Sequence, residues 1–214
     1  MRNITALTPD NSPRSSNRPL IIITEGVLDI SCLTRLSRVV CAAHPDLPDL
    51  QQLSAQGRVI FLPAGGGDLA AWTTRLAPLG CPEFFLSDRE QQPETDFRQS
   101  IVRQINLRFG CCAALTRKRS LENYLHPQAI AQTFDVLIEV TDESPVAELI
   151  ARSLPEVTPL WGSMSHRQQQ RLMYRIKRRL NTETAERMTM ELLSERDPAG
   201  EVVGWFRSIA SLLD

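Results

Sequence analysis

The sequence predicts an α/β fold: a parallel sheet of about four strands flanked by helices, with a helical C-terminal extension. Three observations predict it. Short, continuously apolar runs recur at Pro19–Thr24, Arg58–Leu62, Pro82–Leu86 and Cys111–Leu115, as expected for strands buried on both faces. Stretches of helical periodicity separate them, and such alternation calls for parallel strands joined by right-handed crossovers. After Pro127 only helical patterns remain.

The first strand stops at Glu25-Gly26. The spacing of Leu28, Cys32, Leu33, Leu36, Val39 and Val40 then predicts a helix from Val27 to about Ala43. Pro45 and Pro48 mark a loop. The second strand runs into Pro63-Ala-Gly-Gly-Gly-Asp68, and a helix capped by Asp68 is expected to pass Trp72 and Leu76 and end near Gly80. The third strand ends in Ser87-Asp88-Arg89-Glu90. Residues 91–96 read as a loop, and Phe97–Phe109 as a helix that packs through Ile101, Val102, Ile105 and Leu107. The fourth strand leads into Thr116-Arg-Lys-Arg-Ser-Leu-Glu-Asn-Tyr-Leu125. Later helices are expected over Gln128–Val140, Val146–Leu154, His166–Leu193 and Val202–Leu213. Residues 1–18 read as a disordered tail, 19–130 as the α/β domain and 131–214 as a helical subdomain.

Composition narrows the function. The 214 residues are 42% hydrophobic and 23% charged, ordinary for a globular chain. No apolar run approaches the roughly 20 residues that cross a bilayer, and the first residues lack a signal-peptide core, so a cytoplasmic protein without membrane contact is expected. Five cysteines, an odd number with no CxxC pair, argue against a disulfide framework and a zinc ribbon. Cys32, Cys81, Cys111 and Cys112 read as buried small hydrophobes. The net charge is −1, but basic residues crowd His166–Arg179. Screening confines each charge to about 8 Å, so local polyanion binding survives overall neutrality. The patterns GxxxxGK[ST] and GxGxxG are absent, which argues against an ATPase motor and a dinucleotide site. His44, His126 and His166 lie away from the strand ends, which excludes a Ser-His-Asp hydrolase built on Ser87.

The informative residues are acids. Glu25 follows the first strand, Asp88 and Glu90 the third, and Glu122 comes shortly after the fourth. Asp29 lies one helical turn beyond Glu25. Parallel strands bring such points to one edge, where open α/β sheets bind ligands. Carboxylates gathered there repel one another unless a cation neutralises them. Hard oxygen donors suit Mg²⁺ or Mn²⁺, and two such ions could stabilise the attacking and leaving oxygens of a phosphodiester. Gly65, Gly66 and Gly67 would let the backbone approach a phosphate closely. The face of the His166–Arg179 helix carrying Arg175, Lys177 and Arg178 reads either as a phosphate-contacting surface or as a solvated face with paired charges.

The segments Ile23-Thr-Glu-Gly-Val-Leu-Asp29, Leu62-Pro-Ala-Gly-Gly-Gly-Asp68 and Phe85-Leu-Ser-Asp-Arg-Glu90, taken together, resemble the Toprim domain. The segment around Lys118-Arg119-Ser-Leu-Glu122-Asn-Tyr124 resembles its OLD-type nuclease branch. The resemblance covers roughly residues 20–130; Glu90 stands where the family has a second Asp. It implies a Toprim catalytic domain over residues 19–130 and a divalent-metal-dependent DNA endonuclease or nickase. Glu25 and Lys118 would be catalytic, and Glu25, Asp29, Asp88, Glu90 and Glu122 would hold metal. Arg117 and Arg119 would join the glycines on phosphate. The resemblance also implies an ATPase partner supplied in trans and a role in defence against phage or mobile elements. An inactive Toprim assembly module, or a different Toprim phosphoryl-transfer enzyme, stands as the alternative.

Overall fold

A computed structural model describes residues 18–65 and 69–213. All but the last residue of the expected N-terminal tail, and Gly66, Gly67 and Asp68, lie outside the described residues. The described elements run β1 (Leu20–Thr24), α1 (Val27–Ala43), α2 (Leu50–Ala55), β2 (Val59–Pro63), α3 (Leu69–Arg75), β3 (Glu83–Ser87), α4 (Glu94–Asn106) and β4 (Cys111–Leu115). There follow α5 (Pro127–Phe134), α6 (Val146–Ser153), α7 (His166–Arg179), α8 (Met190–Arg196) and α9 (Glu201–Leu213).

The four strands form one all-parallel sheet in the order β2-β1-β3-β4. Ile22 lies opposite both Phe61 and Phe84, and Phe84 opposite Cys112. Alternation along the strands feeds two cores. Leu20, Ile22, Phe84 and Leu86 face α1 and the C-terminal helices. Ile21, Ile23, Phe85 and Ala113 pack with Leu76, Ile101 and Ile105. The chain winds outward from β1 to β2, crosses back to β3 and continues to β4. The winding therefore reverses between β1 and β3, and a crevice opens beyond their carboxyl ends. At the opposite end of β3, Glu83 is 1% exposed and accepts a hydrogen bond from Arg108 Nη2 at 3.1 Å.

Several expectations need correction. Residues 50–55 form a helix, too short to show periodicity; Asp49 caps it by accepting from the Gln51 and Gln52 amides at 2.9 and 3.1 Å. Helix α4 begins at Glu94 rather than Phe97 and ends at Asn106. Helix α5 stops at Phe134 rather than Val140, because Asp135 adopts a left-handed φ of 57° and donates its amide to Ala131 O at 2.9 Å. The helix expected over His166–Leu193 is not continuous. A π-helical turn spans Leu180–Thr184, and Thr189 starts α8 by capping Leu192 N at 3.3 Å. Of the cysteines, only Cys32 is fully buried.

The helices after residue 130 share the larger core with the sheet. Leu172, Ile176, Leu180, Trp205, Phe206 and Ile209 belong to the same apolar cluster as Leu20, Ile22, Leu33 and Leu36. No described helix is long and apolar enough to cross a membrane.

Candidate functional site at the carboxyl end of the sheet

Each acidic residue reaches the crevice for a local reason. Glu25 leaves β1 and turns toward β3. Its Oε1 accepts from Ser87 Oγ at 2.6 Å and from the Asp88 amide at 2.9 Å, and it is ion-paired with Arg98 Nη1. These bonds span the point where the winding reverses. Arg98 projects from α4 and also donates to Ser87 Oγ at 3.0 Å and Asp88 O at 2.8 Å.

Asp29 sits in the first turn of α1 and accepts the Gly26 amide at 2.7 Å. Asp88 turns the other way and accepts the Leu121 amide at 2.9 Å. That amide opens the 3-10 turn Leu121–Tyr124, which begins at Ser120 in a capping box with Asn123. The turn also carries Glu122, 4% exposed, whose Oε1 accepts from Asn181 Nδ2 at 3.0 Å and lies 3.8 Å from Lys177 Nζ.

Four carboxylates thus share one electrostatic neighbourhood. Burial, then Glu122 and Glu25, pushes the Asp29 carboxyl up to about 7 against the opposing Gly26 bond and Lys177. Burial, then Glu122, Glu25 and Asp29, holds the Asp88 carboxyl well above its ordinary range. At Glu122 burial also opposes ionisation, but Lys177 and the bonds from Ser120 and Asn181 outweigh it, and the carboxyl is lowered. Lys177 is raised in turn, by Glu122 first and against some loss of solvation. Neither Asp29 nor Asp88 forms an ion pair with a described residue.

The other expected residues are placed as follows. Glu90 lies beside this group with a left-handed φ of 57°, held by its amide bond to Arg119 O at 3.0 Å. Its side chain is 38% exposed and 4.0 Å from Arg119 Nε. A non-glycine residue in that region costs about 1–2 kcal/mol, so the 88–90 turn is held by its surroundings. Lys118 is directed elsewhere: its ammonium is ion-paired with Asp142 and lies 5.4 Å from the centre of the Tyr124 ring. Arg117 is exposed, and its amide donates to Tyr124 Oη and to Glu201. Gly65 has a φ of 81°, and its amide is already given to Glu25 O at 3.0 Å. Arg175 and Arg178 are exposed on α7, whereas Lys177 reaches Glu122.

Asn123 and Tyr124 build the support. Asn123 Nδ2 donates to Thr141 O at 2.9 Å and Ser144 O at 3.0 Å. Tyr124 Oη accepts the Arg117 and Lys118 amides at 3.1 and 3.3 Å and donates to Glu201. Arg98 and Asn181 were not expected in the site. Arg98 carries only a weak signal, a cation in the early part of a helix that follows an acidic turn. Asn181 carries a clearer one, a polar residue beside Leu180 at the inner edge of an apolar stripe.

The donor chemistry, carboxylate oxygens gathered in a half-buried crevice, fits a hard divalent ion. Among the described residues, however, no three His, Cys, Asp or Glu side chains stand together as a ready metal-holding group. The class defined by fold and site is an α/β protein with an acidic crevice at its topological switch point. No protein-family model matches the chain, and neither a curated protein nor a solved structure matches it.

Proposed function

We propose that this chain is a divalent-metal-dependent nuclease of Toprim type, acting on DNA. One observation carries the reading: Asp29, Asp88 and Glu122, from three separate stretches of chain, share one crevice in which Glu122 opposes ionisation of both aspartates, and neither aspartate has a cationic partner among the described residues. Such a group is costly to keep unless ionised oxygens are wanted there. A bound divalent ion would supply Lewis-acid stabilisation of charge on a phosphodiester. Asp29, Asp88 and Glu122 would hold it. Glu25, fastened by Arg98 and Ser87, orients the Asp88 backbone, and Asn181 and Lys177 orient Glu122. Asp29, raised to about 7 in the ion-free chain, would give up its proton as the ion binds. An ATPase acting in trans belongs to this reading.

The test pairs binding with cleavage. Mn²⁺ should raise the melting temperature of the wild-type protein but not of Asp88→Asn. Supercoiled plasmid should be nicked in Mn²⁺ or Mg²⁺ with a loss of about 100-fold or more in Asp88→Asn or Glu25→Gln. A second reading, an assembly module without catalysis, is favoured by Arg98 and Lys177 already serving two of the acids. It prevails if Mn²⁺ leaves the melting temperature unchanged and plasmid stays intact.

A further inference from the structure

Helix α7 divides its basic residues between two surroundings. Lys177 lies against Glu122. Arg179 pairs with Glu183 at 3.0 Å, donates to Thr133 O at 2.6 Å and lies 4.5 Å from the centre of the Phe134 ring. Arg167, Arg171, Arg175 and Arg178 are exposed, and their side chains have no hydrogen bond or ion pair with any described residue. Their spacing of four, four and three residues keeps them within one arc of the helix, about 6 Å apart along its axis. Tyr174 falls in the same arc and is 62% exposed. With Gln170 and three of the arginines it lines a groove of 800 Å³.

Like charges stacked at this spacing destabilise a helix. A polyanion on the outside removes that cost, and arginine is suited to phosphate because its fork donates in pairs. The tyrosine narrows the choice of polyanion. A flat, exposed phenol among cations offers a surface on which an unpaired base can stack, whereas a duplex keeps its base faces covered. Lys177, outside this arc, pairs with Glu122 from the same helix, so the strip and the acidic crevice share α7.

We propose that α7 binds single-stranded nucleic acid, its four free arginines on phosphates and Tyr174 under a base. This rests on the nuclease reading for its catalytic meaning and names the substrate of that site.

The experiment measures fluorescence anisotropy of labelled dT20, rU20 and a 20-base-pair duplex with the full chain in EDTA. Leaving out divalent ions separates this question from catalysis. Expected are tighter binding of the single strands than of the duplex, and a slope of log K against log salt of about −3 for dT20. Tyr174→Ala should weaken dT20 about tenfold and the duplex far less. Arg171→Gln with Arg175→Gln should weaken both and lower the slope by about half. A difference between dT20 and rU20 identifies the preferred sugar. The proposal is overturned if Tyr174→Ala leaves dT20 binding unchanged, if the duplex binds as tightly, or if polyglutamate competes as well as dT20. Failure to cleave bound dT20 or rU20 once Mn²⁺ is added would instead count against the nuclease reading alone.

Discussion

Asp29 shows most directly what a single residue contributes. An aspartate in an unfolded chain titrates near 3.9, whereas burial and the neighbouring Glu122 bring Asp29 to about 7 in the folded protein. Between these values the folded protein holds a proton that the unfolded chain has released. The stability this gives is complete below about pH 4 and is lost as pH rises through about 7. In EDTA, therefore, the melting temperature should fall across that window, with Asp88 adding to the same trend. Asp29→Asn, which keeps an acceptor for the Gly26 amide, should reduce the slope. At pH 8 it should melt higher than wild type by at least about 2–4 °C, the shift that 1 kcal/mol gives in a chain of this size. Parallel pH curves for the two proteins would show that Asp29 is ionised at little cost.

At the scale of elements, the π-helical turn Leu180–Thr184 matters most to the site. One residue more than an α-helical turn carries Asn181 inward, where it is completely buried and bonds to Glu122 and to Lys177 O, both at 3.0 Å. Asn181→Ala removes a donor from a buried carboxylate and should cost about 1–3 kcal/mol in urea denaturation. A change below about 0.5 kcal/mol, ordinary for a surface position, would show that Lys177 alone suffices. The same turn explains what could be read beforehand. Glu25 and Asp88 were legible because each is an acid just past an apolar run, and strand direction places such points together without knowledge of packing. The span of α1 was legible because its apolar stripe is unbroken. Arg98 and Asn181 depend on how α4 and the C-terminal helices cross the sheet, and the partners that decide this lie 73 and 59 residues away. The orientation of Lys118 was hidden for the same reason, since Asp142 reaches it from an irregular segment with no periodic pattern.

At the scale of the molecule, the sheet and the C-terminal helices share a core in which Phe206 and Phe84 are both fully buried. Phe206→Ala should therefore cost about 3–5 kcal/mol and lower one common transition seen by both far-ultraviolet circular dichroism and tryptophan fluorescence. Two separated transitions would mean that the helical part unfolds by itself. The two ends of β3 complete the account. At its base Glu83 is buried, yet Arg108 closes the charge from within the chain; just past its tip Asp88 is half-buried and has no counter-ion among the described residues. The two acids lie five residues apart, and they differ in whether the described polypeptide brings its own counter-ion to each.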